Sequence, residues 1–263
     1  MLALHVLASG SKGNAAVVEN LDSGEGILVD CGICKRDFMS RCGEAGFDVS
    51  KLKAILITHD HSDHVGKLGV VMRGLRGGDF CMYALDAVVD GCKHVSDASE
   101  MCEVNRMRCG DSISIAGISV SVFETSHDAL ASCGFRFDSE DSDSIGFMTD
   151  TGYVTDAAME ALSGVRILAL ESNHDVDMLE HGEYPFYLKQ RVGSDKGHLS
   201  NAQASDALRV LSHDGLEHVI AMHISHNNNL PSLVRDVFES TLQEISSPAT
   251  LHVSSQFRLV SIS

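Results

Sequence analysis

Residues 59–64 read His59-Asp60-His61-Ser62-Asp63-His64. Three imidazoles and a carboxylate crowded this closely cannot all face a protein core without a partner. Neutral imidazole and carboxylate are borderline-to-hard ligands, suited to Zn²⁺, Mn²⁺ or Fe. The run follows the apolar segment Lys53–Thr58 and precedes a helical pattern. In an extended turn His59 and His61 point to the same side. Asp63 and His64 then fall at the start of the helix, where they can face a second ion. The plain alternative is a histidine-rich surface loop, and this spacing speaks against it.

The elements that must hold this run are legible from periodicity. Leu2–Ala8, Ala15–Asn20 and Ile27–Asp30 read as short strands separated by glycine-bearing turns, and Lys53–Thr58 as a buried strand. Leu68, Val71, Met72 and Leu75 have helical spacing and predict one helix from Val65 to Leu75. Several strands follow between Phe80 and Asp150, among them a hairpin with arms Gly134–Phe137 and Ser144–Thr149. Its tip carries Asp138, Glu140, Asp141 and Asp143, which read as a solvated turn because their spacing does not complete a calcium loop. Val165–Leu170 and Val219–Met222 are further buried strands. Ser200 and Gln203 form a capping box for a helix that buries Ala204, Ala207, Leu208 and Leu211 and ends at Gly215. Pro231 opens a last helix with Leu233, Val234, Val237 and Phe238 inward. This order predicts an α/β fold, a two-sheet core with helices on its outer faces.

His-x-His-x-Asp-His at a strand end resembles the signature of the metallo-β-lactamase superfamily. The rest of the chain carries that family's other motifs in order. Asp30 after Ile27-Leu28-Val29 matches its early aspartate, which supports the ligands. His127 in Glu124-Thr125-Ser126-His127 matches its third histidine motif, Asp150 in Met148-Thr149-Asp150-Thr151-Gly152 its bridging aspartate, and His223 in Met222-His223-Ile224-Ser225 its final histidine. The resemblance implies a four-layer αβ/βα sandwich of two mixed sheets flanked by helices. It implies two divalent ions, Zn or Mn, one held by His59, His61 and His127 and the other by Asp63, His64 and His223, with Asp150 bridging. Gly197-His198-Leu199-Ser200 resembles the motif of the phosphodiesterase branches, which makes Asp63, Asp150 and His198 the implied catalytic residues and Glu171 the carboxylate that orients His198. A histidine at a helix N-terminus can donate a proton to a phosphoryl oxygen or leaving group, where phosphate also binds readily. His61 separates the chain from the di-iron redox members, which commonly carry glutamate there.

Ser9-Gly10-Ser11-Lys12-Gly13-Asn14, Asp30-Cys31-Gly32-Ile33, Glu171-Ser172-Asn173-His174-Asp175 and Gly197-His198-Leu199-Ser200-Asn201 together are similar to the YycJ (WalJ) branch. That resemblance implies a bacterial cytoplasmic 5′→3′ DNA exonuclease without an inserted β-CASP domain, one hydrolase domain over residues 1–263. The alternative on the same metal core is hydrolysis of a small thioester or cyclic phosphodiester. Lys12 and Cys34 fall where serine is common in the branch.

Composition bounds these readings. The chain has 263 residues, 44 % of them apolar and 22 % charged, with three prolines, which is globular composition. Its net charge of −17 excludes a uniformly basic nucleic-acid binder. Metal ions can supply local positive charge, so a nuclease is not excluded. Lys67, Arg73 and Arg76, with Lys189, Arg191 and Lys196, predict a small cationic mouth beside the site. No apolar run approaches the roughly 20 residues of a membrane span, and the apolar start Met1–Ala8 reads as a strand. Eight cysteines then point to reduced thiols, and Cys31 and Cys34 to an incidental C-x-x-C. No obligate protein partner is evident. Asn228 and Asn229 read as braces for His223, or Asn229 as a helix cap. His174 reads either as a polar group of the site or as a turn cap. Tyr184-Pro185-Phe186-Tyr187 reads as core packing rather than base stacking.

Overall fold

A computed structural model describes residues 1–75 and 77–263. Its strands in chain order are β1 (Leu2–Ala8), β2 (Ala15–Asn20), β3 (Glu25–Val29), β4 (Leu52–Leu56), β5 (Cys81–Leu85), β6 (Val104–Met107), β7 (Ser112–Ile115), β8 (Ile118–Glu124), β9 (Cys133–Ser139), β10 (Ser144–Met148), β11 (Ile167–Glu171), β12 (His218–Met222), β13 (Thr250–Val253) and β14 (Val260–Ile262). They form two seven-stranded sheets, ordered β14-β1-β2-β3-β4-β5-β6 and β13-β12-β11-β10-β9-β8-β7. Each sheet is mixed in the same way. In the first, β14, β1, β2 and β3 pair antiparallel while β3 to β6 run parallel. In the second, β7 to β10 are antiparallel and β10 to β13 parallel.

The period of two along the strands decides which side each residue serves. On β11, Ile167 and Ala169 join the core shared with Leu4, Phe135 and Phe137, while Leu168 and Leu170 pack with Leu162, Ala204, Leu208 and Phe238 of the covering helices. Glu171 continues the inward register of Ile167 and Ala169. Helices Asp156–Leu162, Asn201–Leu211 and Pro231–Glu244 cover the second sheet. Phe38, Val71, Val88 and Val95, from short helices along the first half of the chain, pack against the first. The expected four-layer sandwich is therefore the fold.

Three local expectations fail for identifiable reasons. The helix expected from Val65 to Leu75 is two, Ser62–Val65 and Leu68–Met72. The loop after β3 intervenes: Cys31 N donates to His64 O at 2.6 Å, and Lys67 N donates to Cys31 O at 3.1 Å instead of continuing the helix. The helix after the capping box ends at Leu211, because Ser212 turns to an extended backbone (ψ 137°) before Gly215 is reached. The hairpin tip is not wholly solvated, because Asp143 accepts both Leu2 N (2.6 Å) and the Arg166 guanidinium (2.6 and 2.9 Å).

Burial pushes the Asp143 carboxyl up, but the Arg166 and Leu2 hydrogen bonds more than offset it and hold the group below the usual carboxylate range. A lowered folded-state pKa contributes stability above the unfolded value, and that contribution is lost as pH falls through the folded value. Asp143→Asn is therefore expected to cost about 2 kcal/mol at pH 7. The gap to the parent protein narrows as the pH drops below the ordinary aspartate range, which urea denaturation at several pH values measures.

Candidate metal centre

The site lies at the carboxyl ends of the parallel strands of both sheets, where open α/β sheets commonly bind ligands. Asp30 follows β3 and the 59–64 run follows β4. Asp150 follows β10, Glu171 ends β11 and His223 follows β12. Asp30, Asp150 and His223 leave their strands with φ of 59°, 55° and 54°. For residues other than glycine this left-handed region costs roughly 1–3 kcal/mol each. That three such residues meet where the carboxyl ends of the two sheets come together marks a place where the direction of a side chain outweighs backbone comfort. The turns are held: Asp30 N donates to Leu56 O, and His223 N to Ser9 Oγ at 2.7 Å. His127 enters from the loop after β8, its Nδ1 donating to Gly197 O at 2.9 Å.

These side chains converge. His59, His61 and His127 bring their nitrogens together, as do the ligand atoms of Asp63, His64 and His223. Asp150 reaches both groups. Its Oδ1 is 4.0 Å from His59 Nε2, 3.7 Å from His127 Nε2 and 3.4 Å from His223 Nδ1, and its Oδ2 is 3.3 Å from His64 Nε2. Behind them, hydrogen bonds orient the rings. His64 Nδ1 donates to Asp30 Oδ2 at 2.7 Å and His223 Nδ1 to Glu171 Oε1 at 2.9 Å. Thr58 Oγ1 donates to Asp30 Oδ2 at 2.8 Å, so its oxygen accepts His59 Nδ1 at 2.9 Å. Such backing fixes the tautomer that turns the other nitrogen to a metal.

Three buried atoms of the cluster have no hydrogen-bond partner: His59 Nε2, Asp150 Oδ2 and His223 Nε2. An unpartnered buried polar atom costs about 1–3 kcal/mol, and native proteins keep few. Burial, reinforced by His64 and His127, pushes the His59 imidazole well down, so it is neutral with a free lone pair. Burial pushes Asp150 up, but His223 and His64 overcome it and keep the group ionised. Imidazoles and a carboxylate aimed at one space fit divalent cations, with no thiolate among the donors.

His198 completes the site. Its Nδ1 donates to Glu171 Oε1 at 2.8 Å, the oxygen that also accepts His223 Nδ1, and the ring is partly solvent-exposed. Glu171 is fully buried, and its Oε2 accepts Thr151 N (3.0 Å) and Leu199 N (3.1 Å). Burial raises this carboxyl, yet His198 and His223 hold it below the usual range. One carboxylate thus sets the direction of a ligand and of the candidate acid together.

Some supporting residues escape the sequence reading. Thr58 is one, signalled only by its place before His59. Asn14 Nδ2 donates to His64 Nε2 at 2.9 Å and to Asp63 Oδ2 at 3.3 Å. Asn173, not Asn228 or Asn229, braces His223, donating to its carbonyl at 2.8 Å. Asn229 instead ties Ser172 O and Asn173 O together, and Leu230 is the helix cap. His174 is buried and bridges to Ser200 through its backbone. Phe186 and Tyr187 do not pack in the core: they are 74 % and 71 % exposed, on a short helix, Phe186–Val192, none of whose residues is buried. Of the expected cationic mouth, Arg191 pairs with Asp128, which lies 3.5 Å from His127, and Lys67 is exposed; Arg76 lies outside the described residues.

Residues 26–224 match the family described as the β-lactamase superfamily domain. The chain belongs to this superfamily. It is a hydrolase of that family. Among its relatives is the exodeoxyribonuclease YycJ of Bacillus anthracis, 33 % identical over 239 residues, 91 % of this chain and 88 % of the relative. The exodeoxyribonuclease WalJ of Streptococcus pneumoniae is 32 % identical over 228 residues, 87 % of this chain and 83 % of that one. The superfamily fold is also that of YhfI, a metallo-β-lactamase fold protein from Bacillus subtilis, whose crystal structure superposes with a TM-score of 0.73 over 99 % of both chains at 14 % identity.

Proposed function

We propose that the chain is a metal-dependent exodeoxyribonuclease that removes nucleotides from the 5′ end of DNA. The observation that carries the reading is the ring of partly unpartnered imidazoles around Asp150, set beside the His198–Glu171 pair. The two relatives named as exodeoxyribonucleases support DNA as the substrate. His59, His61 and His127 would hold one ion, Asp63, His64 and His223 the other, and Asp150 both. Bound divalent ions, Zn or Mn, polarise a phosphoryl oxygen and make water acidic enough to serve as nucleophile near neutral pH. Asp30 and Glu171 keep the ligand rings in place. His198, oriented through Nδ1 by Glu171, turns its other nitrogen to the substrate and donates a proton to the departing oxygen. We place the protein in the cytoplasm, in keeping with eight free cysteines and with no described helix long and apolar enough to cross a membrane.

Digestion of 5′- and 3′-labelled single- and double-stranded DNA by the metal-loaded protein tests this. Early release of the 5′ label as a short product is expected. Intact DNA alongside hydrolysis of a thioester or cyclic phosphodiester overturns it.

The loop geometry gives a further expected outcome. A methyl group on Gly32 would lie 1.6 Å from Asp63 O and 2.8 Å from Asn14 N, both backbone atoms. No rotamer relieves that overlap, so the loop bearing Asp63 and His64 must move. Gly32→Ala is expected to weaken metal binding by about 10–100-fold, as lost support of ligands does. Competition with a chromogenic chelator measures it.

A further inference from the structure

A cavity of about 690 Å³ opens on the His223 side of the centre, within the roughly 300–1,000 Å³ of small-molecule sites. Its walls are the loop Ser9–Lys12 and the loop Ser254–Phe257, with Ile224 and Ser225 behind. The cavity's wall adjoins the centre, because Ser9 Oγ accepts His223 N and Asn14, just beyond the same loop, donates to Asp63. It is also built firmly. Gln256 Oε1 accepts Lys12 N at 2.9 Å and its Nε2 donates to Gly13 O at 2.7 Å, while Ser9 N donates to Ser255 O at 3.2 Å.

Its chemistry is selective. Ser255 Oγ accepts Phe257 N and Arg258 N, both at 3.1 Å, in a turn that holds Phe257 out with 68 % of it exposed. Lys12 Nζ stands 6.0 Å from the ring centroid, the outer limit of a cation–π contact, so its amine is loosely held there. Ser254, a buried residue of the lining, has a hydroxyl with no partner. The chain contains 37 acidic residues, yet none lines this cavity. Each of four other cavities carries at least one carboxylate, such as Asp177, Asp236, Asp206 and Glu100. An aromatic face, an exposed amine, an unpartnered hydroxyl and no acid together match a base, a phosphate and a sugar.

We infer that this cavity seats one unpaired nucleotide of the DNA strand beside the bond being cut, its base stacked on Phe257 and its phosphate paired with Lys12. The inference rests on the nuclease reading and adds how the strand is held. Stacking on an aromatic side chain is tolerant of sequence, and the amine makes binding depend on salt.

Steady-state hydrolysis of a single-stranded oligonucleotide by the metal-loaded protein tests it. Phe257→Ala is expected to raise KM about 10-fold with little change in kcat, and Phe257→Trp to restore KM. Lys12→Gln is expected to raise KM and to flatten its dependence on salt. Unchanged KM in both Phe257→Ala and Lys12→Gln overturns the inference. So does a fall in kcat alone, or failure of Phe257→Trp to restore KM, with a lowered melting temperature, since either assigns Phe257 a structural part. A parent protein that hydrolyses bis(p-nitrophenyl) phosphate but not DNA instead removes the nuclease reading, and the inference with it.

Discussion

Asp150→Asn is expected to reduce DNA hydrolysis by about 10³-fold or more. Among the described residues Asp150 is the one carboxylate within 4.0 Å of His59, His64, His127 and His223 together, and one of its oxygens has no hydrogen-bond partner. Removing its charge would leave the bound divalent metal to be held by the imidazoles and Asp63, and each 1.36 kcal/mol lost from the transition state is tenfold in rate. Asparagine is the better probe than alanine because Asp150 sits at φ 55°, a conformation asparagine adopts with little strain. Metal analysis of the purified variant should show less than the parent stoichiometry, with the melting temperature little changed. Retained activity with full metal content would remove Asp150 from the centre.

His198→Ala is expected to lower kcat on DNA by roughly 10²–10⁴-fold, the usual share of a positioned acid. Metal content should be little changed, because His198 is bonded to Glu171 and lies outside the two proposed ligand sets, although its nitrogen also clusters with donor atoms of Asp150, Glu171 and His223. The discriminating measurement is the leaving group. Bis(p-nitrophenyl) phosphate expels a phenolate that needs no proton, so the variant should lose far less on it than on DNA. Equal losses on both substrates would make His198 a binding group and not an acid. Glu171→Gln should differ from His198→Ala in a telling way. Its carboxylate serves His198 and His223 alike, so both the rate and the metal affinity should fall.

Much of the centre was legible in the sequence because strand ends are. A buried parallel strand is a continuous apolar run, so the polar residue that ends it stands out, as Asp30, Glu171 and His223 do. The inward register of Glu171 follows from the same two-residue period that buries Ile167 and Ala169. What stayed hidden depends on contacts between distant segments. The break in the helix after His64 comes from Cys31, far away in sequence, competing for its backbone groups. Asn14 and Asn173 look like ordinary loop residues until the fold sets them against His64 and His223. Phe186 and Tyr187 carry no sequence sign of exposure, and the expectation that aromatics fill cores fails on a helix that buries none of its residues. The carboxylate-free cavity beside Phe257 is equally invisible, since its walls join residues 9–12 and 254–257 to Tyr184 and the segment after β12.

The charge of −17 fits this picture. Long-range attraction of DNA by such a surface is weak, so on the proposed reading binding would come from the ions and from a few groups around them. The direct test is to strip the protein with a chelator, follow digestion of 5′-labelled DNA, and add Mn²⁺ or Zn²⁺ back in steps. Activity should vanish on stripping and return in proportion to metal bound at the Asp150 cluster, with Asp150→Asn failing to recover. DNA digestion that persists without metal, or that returns equally in the Asp150→Asn variant, would contradict the account.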